Sequence, residues 1–499
     1  MLSKSKYCAF VQCPKNLWLK AYKPELATYD ASVEARMEAG NEIGDLAMQL
    51  FGDFVEVTSA DEKGKLDLSE MISRTNTLLL ENTPVICEAS FSYNGNYCAV
   101  DILKRENGGY SIYEVKSSTH ANEIYATDIA YQKYVLEHCG INITGTYLVC
   151  LNNEYVFDGV LDIHKLFKVV DLSDRVAEQY EYVEGNVTAA NNILDDPVEP
   201  LCGLSEGCNK PYPCAFWKYC SAHLPEPCIF DVYKIPFAKK VEYYNDGIIT
   251  YEDIKNTKEM GNHIRSLQIN HGLEELGTYV DKKGIKKFLD TLSFPLYFLD
   301  FETMQLPIPQ FVGTRPYAQI PFQYSLHYLE SPDGELKHTE FLGISGEDPR
   351  RALAEQLCRD IPMNVCTLAY NKGFECGRIK ELAESFPDLA EHLLNIADNI
   401  QDLIVPFRAG HYYNRAMGGS FSIKSVLPAI YPDDPSLDYH NLEGVHNGGE
   451  AMELFPLIKD LPLDEQATAR HNLLKYCELD TYAMVKVWEE LVRVIDIYT

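Results

Sequence analysis

Four cysteines, Cys202, Cys208, Cys214 and Cys220, stand six residues apart in a segment dense in proline and aromatic residues, with KPYPCAFWKYC at its end. Thiolates at such short, loop-compatible spacings favour one metal centre, because the loop can wrap while each sulfur points inward. Zinc sites usually use pairs two to four residues apart, and five-residue gaps fit that poorly. The pair Cys13-Pro14 offers a remote fourth ligand of the kind iron–sulfur proteins use. The expectation is a [4Fe–4S] cluster on Cys13, Cys208, Cys214 and Cys220, tying the two ends of one domain together. Zinc stays open against iron, and Cys202 against Cys208; Cys8 and Cys228 are weaker ligands.

The remaining cysteines fit no secreted disulfide framework. There are fifteen, an odd and unevenly placed set, and the start MLSKSKYCAF lacks the apolar core of a signal peptide. Nothing approaches a membrane span. A reduced, cytoplasmic setting without membrane contact is expected. With 44 Lys+Arg against 74 Asp+Glu the formal net charge is −30, which excludes a generally basic coat for nucleic acid but not a local groove or a metal that meets phosphate.

At 499 residues the chain calls for more than one core. VICEASFSYNGNYCAVDIL, a break at Asn107-Gly108-Gly109, then YSIYEVK reads as a hairpin or meander; a helix over about 121–139 ends at Gly140 and the strand INITGTYLVCL follows. Strand, helix, strand means an α/β unit. Residues 231–290 hold ten Lys+Arg against ten Asp+Glu, neutral between acidic neighbours, and read as a helical connector. A buried strand opens a second α/β domain at FPLYFLDFET. The expected domains are 1–228, a connector 229–290, and 291–499.

Asp101 ends the apolar run AVDIL, and after twelve intervening residues Glu114-Val115-Lys116 lies on the next strand. Strand residues two apart share a face, so Glu114 and Lys116 project together beside Asp101. Two carboxylates can hold Mg²⁺ or Mn²⁺, and a lysine can position or deprotonate the attacking water. Glu88 on the preceding strand can add an oxygen, and Gln132, with Tyr131 and Tyr134 beside it on the next helix, an amide. Bracketed by the cysteines, this arrangement resembles the RecB-type PD-(D/E)xK nucleases, in the cluster-bearing subgroup of recombination helicase–nucleases and CRISPR adaptation nucleases. The resemblance spans about residues 1–225 and implies a restriction-endonuclease-like fold. Where that group carries a helix 1 histidine, near Gly40–Gly44, this chain has Asn41 and Glu42.

Leu296–Thr303, LYFLDFET, places Asp300 and Glu302 two apart on a strand; Glu375 follows VCTLAYNKGF at a strand-to-helix turn; Tyr476 and Asp480 stand four apart on a helix. Four acidic side chains from three segments can hold two Mg²⁺ for in-line phosphodiester hydrolysis, with a tyrosine one turn before the last ligand orienting water. The order D-x-E, N-x-x-F-acid, Y-x-x-x-D resembles the DEDD exonucleases of the ribonuclease H-like superfamily, tyrosine subtype. Glu375 stands where that group has Asp, and Asp402 in IQDLIVPF competes with it. The later AMGGSFSIKSVLP puts Lys424 where a phosphate can approach.

A RecB-like domain followed by FLDFET…YNKGFE…DLIVPF…GSFSIKSVLP…YCELDTYAM is similar, over nearly the whole chain, to a prokaryotic family known only as a domain of unknown function. Together the resemblances imply a metal-dependent nuclease, a 3′–5′ exonuclease on single-stranded DNA in preference to RNA, with repair, CRISPR or defence proteins as partners. The alternatives are an RNA-processing exonuclease, a DNA-binding module whose first site is inactive, and a redox-sensing interaction protein.

Overall fold

The computed structural model describes residues 1–29, 32–274 and 276–496, with residues 32–39 and 496 as backbone only. The chain is a mixed α/β protein whose contacts divide it into two units, Met1–His223 with Leu306–Tyr317, and Leu224–Gln305 with Ala318–Thr499. Residues 229–290 therefore pack with the second unit rather than stand apart. They gather their own small core from Ile229, Val232, Ile235, Tyr243, Tyr251, Ile254 and Ile269.

The first unit is built on a mixed seven-stranded sheet. Its centre is an antiparallel meander, Val85–Tyr93, Asn96–Glu106 and Gly109–Lys116. Both turns are Asn-Gly pairs with positive φ at each residue, +46° and +78° at 94–95 and +54° and +78° at 107–108. That is the turn whose twist suits a two-residue hairpin. Asn122 then caps the helix Glu123–His138, which stops before Gly140 at φ +83°. The strand Ile143–Leu151 returns parallel to Gly109–Lys116, as a crossover helix requires. The loop Leu306–Tyr317 closes on this unit through Phe157, which exchanges backbone hydrogen bonds with Gly313 and Thr314.

The meander opens at its functional end. The ladder between Asn96–Glu106 and Gly109–Lys116 stops at Ile102↔Tyr113, and the Asp101 carboxylate accepts the next free N–H, from Val115, at 2.7 Å. Past the split, Leu2–Ser3 pairs with Asn96–Tyr97 instead. The chain's first residues are thereby brought beside the acids.

The second unit holds a five-stranded sheet in the order Lys337–Leu342, Gln319–Leu329, Leu296–Gln305, Cys366–Ala369, Ile400–Asp402. The first three run antiparallel and the last two parallel to Leu296–Gln305. Alternation along that central strand sorts its side chains. Tyr297, Leu299 and Phe301 pack with Leu353, Leu357, Ile379 and Leu382. Phe298 faces the other way, meeting Trp488 of the 34-residue helix Leu463–Asp496 at 5.9 Å between ring centroids. Asp300 and Glu302 share the Phe298 face. Among the described residues no helix is long and apolar enough to cross a membrane.

Candidate functional site

In the second unit, ligand atoms of Asp300, Glu302 and Cys477 lie within 4.8 Å of one another. Asp480, one turn on from Tyr476, is buried against them and takes hydrogen bonds from the Tyr439 hydroxyl at 2.6 Å and from Tyr476. Lys424 donates to the Tyr476 hydroxyl at 3.1 Å and to the His446 carbonyl at 3.2 Å, and its ammonium lies 4.7 and 5.0 Å from the ring centroids of Tyr439 and Tyr476. The helix Gly448–Leu457 starts beside the acids, where a Cβ on Gly448 would make an ordinary contact with Glu302 Oε2 at 3.4 Å. A cavity of about 730 Å³ adjoins the site, lined among others by Lys424, Tyr431, Tyr439, His446 and Asn447.

Electrostatically these acids are crowded and poorly compensated. Burial first, then repulsion from Asp480, Glu375 and Glu302, pushes Asp300 well above the usual carboxylate range. Burial and Asp480 push Glu302 up to about 8. Burial, with Asp402 adding to it, brings Glu375 to about 8. Asp480 is raised by burial, against hydrogen bonds from Tyr439 and Tyr476 and the Lys424 charge. Glu375 Oε2 is buried with no hydrogen-bond partner. Asp402 instead serves the backbone, accepting from Asn371 N at 2.8 Å and Ile404 N at 3.2 Å. The Cys477 thiol points to the Asp300 carbonyl at 3.9 Å, leaving oxygens as the donors a hard ion prefers. These residues fit a Mg²⁺ or Mn²⁺ site: Asp300 and Glu302 bring oxygens close together, Asp480 and Glu375 are buried acids, and Glu375 keeps an orphaned oxygen.

The first unit's site is differently furnished. Glu114 is fully buried; its Oε1 accepts from Lys4 at 2.8 Å and from Lys116, and its Oε2 accepts from Gln132 Nε2 at 2.6 Å. Burial alone would raise Glu114, yet the two lysines hold it far below the ordinary range. Lys116 also pairs with Asp128 at 3.1 Å, and its ammonium lies over the Tyr125 ring, 5.7 Å from the centroid. Glu88, at φ +55°, falls opposite Asp101 in the strand register and is brought to about 7, by burial and then by Asp101. Tyr131 and Tyr134 serve the core: Tyr131 stacks on Tyr7 and donates to the Leu2 carbonyl at 2.7 Å, and Tyr134 stands against His138. Glu42 and Asn41 are exposed, and Ile43 is the buried residue of that turn. Among the described residues no three of Glu88, Asp101, Glu114 and Asp128 converge as a metal-holding group. Lys4 stands between these acids, and Asp128 Oδ1 and Gln132 Oε1 are buried with no hydrogen-bond partner.

Cys13, Cys202, Cys208, Cys214 and Cys220 all line one pocket, together with Leu19, Phe216 and Trp217. All five thiols are unbridged. Cys13 lies in extended backbone between the helices Lys4–Gln12 and Pro14–Tyr22, and Gln12 Nε2 donates to the Gly207 and Tyr212 carbonyls at 2.9 and 2.8 Å. A Cβ on Gly207 would collide with the Gln12 carbonyl at 2.4 Å, so the two ends meet closely. Cys202 hydrogen-bonds Cys13, which keeps it in contention with Cys208. Among the described residues no three of these sulfurs lie within 4.8 Å of each other. A single zinc with about 2.3 Å bonds would need them roughly 3.8 Å apart. Five cysteines thus line one small cavity of about 20 Å³.

Lys4, Asp128, Tyr439 and Gly448 join the sites without having been singled out in the sequence. Asp128 was within reach of a helical reading, being four residues before Gln132 and so on its face. Tyr439 carries no such signal; it lies 41 residues from its partner Asp480.

A family described as "Domain of unknown function (DUF2779)" matches residues 297–422, a stretch holding Asp300, Glu302 and Glu375 and ending before Lys424, Tyr476 and Asp480. The "Uncharacterized protein UU173" of Ureaplasma parvum is 26% identical over 238 residues, covering 43% of this chain and 33% of that protein. The match thus spans about a third of that relative's length.

Proposed function

We propose that the second unit is a ribonuclease H-like exonuclease domain that hydrolyses phosphodiester bonds at the 3′ ends of single-stranded DNA with Mg²⁺ or Mn²⁺, and that the first is a restriction-endonuclease-like domain carrying a [4Fe–4S] cluster on Cys13, Cys208, Cys214 and Cys220. The observation that supports the reading is the convergence of Asp300 and Glu302, with ligand atoms within 4.8 Å of one another, beside buried Asp480 and Glu375, all four raised by burial.

Asp300, Glu302, Glu375 and Asp480 would hold the ions, which when bound supply a nucleophilic hydroxide and neutralise the pentacovalent phosphate. The chain's own groups do the rest. Tyr476, fixed between Lys424 and Asp480, presents its hydroxyl to the attacking water and orients it. Tyr439 holds the Asp480 carboxylate in one rotamer. Lys424, the cation at the mouth of the 730 Å³ cavity, meets the substrate's phosphate while the terminal nucleoside enters beside Tyr439.

A second reading concerns the first unit alone. The Glu114 carboxylate is already saturated by Lys4, Lys116 and Gln132, which favours a domain that grips nucleic acid over one that cuts it. The test is incubation of anaerobically purified protein with Mn²⁺ and end-labelled single- and double-stranded DNA and RNA. Stepwise release of mononucleotides, stopped by chelator, is expected from single-stranded DNA. Absence of product from every substrate refutes the enzyme, and product from RNA alone moves the reading to RNA processing.

A further inference from the structure

The first unit's carboxylates converge on an ammonium. Lys4 Nζ lies 2.8 Å from Glu114 Oε1, 3.8 Å from Asp101 Oδ1 and 3.9 Å from Asp128 Oδ1, three acids drawn from two strands and a helix. Lys116 reaches two of the same acids, Glu114 and Asp128, from the other side. We infer that Lys4 is the resident cation of this site, standing where the acids would otherwise share a divalent metal, so that the first unit holds its charge cluster together without one. The inference concerns cation binding and stands whether or not the second unit hydrolyses nucleic acid.

The lysine is not a surface side chain that has wandered in. Its backbone is held on both flanks. Before it, Leu2–Ser3 is paired into the sheet against Asn96–Tyr97, and the Leu2 carbonyl accepts from Tyr131 at 2.7 Å. After it, Tyr7 stacks on Tyr131 with ring centroids 4.7 Å apart, on the helix that also supplies Asp128 and Gln132. The helix that begins with Lys4 ends at Gln12, whose amide is bonded to Gly207 and Tyr212, and Cys13 follows in the cysteine pocket. The ammonium is thus placed from the sheet at one end and from the cysteine loop at the other.

Size and charge then exclude a partner ion. An ammonium donating at 2.8 Å to Glu114 occupies the volume a divalent cation would take with oxygens at 2.0–2.1 Å. Bringing both into the cluster would set two cations a few ångströms apart with little water between them. Removing Lys4 leaves Glu88, Asp101, Glu114 and Asp128 facing Lys116 alone. Buried acids deprived of a partner are costly, and a divalent ion would relieve them.

The experiment counts bound Mn²⁺ by the loss of its free electron-paramagnetic signal, on full-length protein carrying Asp300→Asn and Asp480→Asn to silence the second unit. That background should retain no Mn²⁺ in the first unit. Adding Lys4→Met should create one site per chain, on the order of tenfold tighter or better than any residual binding, and adding Asp101→Asn should abolish it again. A background protein that already binds an ion lost on Asp101→Asn overturns the inference. So does a folded Lys4→Met protein that gains none. Should Lys4→Met fail to fold, lysine acetylation footprinting of the background protein decides. Lys4 should stay protected relative to exposed Lys286 at saturating Mn²⁺, and release of Lys4 by Mn²⁺ contradicts its being the resident cation.

Discussion

The two units solve the same electrostatic problem in opposite ways. Each gathers four buried or half-buried acids from its sheet and the helices beside it. In the first, Lys4, Lys116 and Gln132 meet the acids directly and hold Glu114 ionised in spite of complete burial, while burial still raises Glu88, Asp101 and Asp128. In the second, the cation nearest to the acids, Lys424, is turned to Tyr476 rather than to any carboxylate, and all four acids are pushed upward. A cluster with two lysines among its acids carries much of its own countercharge. An uncompensated one is unfavourable until something positive arrives, and that is the property a metal-dependent site needs.

The largest contrast is expected from Asp300→Asn against Asp101→Asn. Loss of a metal-holding acid should cost several kcal/mol of transition-state stabilisation, about 10³-fold or more in rate on single-stranded DNA. Asp101→Asn should change that rate by less than about threefold, within what a change outside the reacting groups produces. Equal losses would erase the distinction between the units. Tyr476→Phe should follow, about 10²-fold slower, as expected of a positioned proton-handling group. Its Mn²⁺ affinity should be unchanged, so single-turnover rates and metal titrations together read it.

Cys214→Ser sharpens the comparison from the other side. It should abolish bound iron and visible absorbance and lower the first unit's thermal transition by the few kcal/mol typical of losing a structural metal or crosslink, about 2–5. Mn²⁺ binding at Asp300 should persist. A colourless, zinc-loaded wild-type protein would replace iron in this account.

The smallest effect is one of pH. Glu302 and Glu375 lie near 8 in the folded chain against an ordinary 4.5. Between those values these two groups bind more protons in the native state than in the unfolded one, so their contribution to metal-free stability is present below about pH 5 and is lost as pH rises to about 8. Glu302→Gln should flatten that decline and raise Tm by a few degrees at pH 8, measured by calorimetry in chelator. A metal-free protein that gains stability over the same range would show the acids to be compensated after all.

Much of this was legible locally. Asp300 and Glu302 share a face because strand alternation fixes it, and Asn107-Gly108 marked a hairpin because few other pairs tolerate two positive φ values. Glu114 and Lys116 project together for the first of those reasons, yet their real company was hidden. Lys4 sits 110 residues from Glu114, and only the pairing of Leu2–Ser3 into the opened sheet brings it there. Tyr439 enters from an irregular segment with no period to betray it. The packing of residues 229–290 with the second unit, and the return of Leu306–Tyr317 to the first, depend on contacts that a neutral charge count or a strand end does not encode.

The difference between the units can be seen directly by soaking crystals of the full chain in Mn²⁺ and computing anomalous difference density. The account predicts peaks bounded by Asp300, Glu302, Glu375 and Asp480, and none among Asp101, Glu114 and Asp128, where Lys4 should remain. Manganese between Asp101 and Glu114, with the second unit's acids bare, would contradict it.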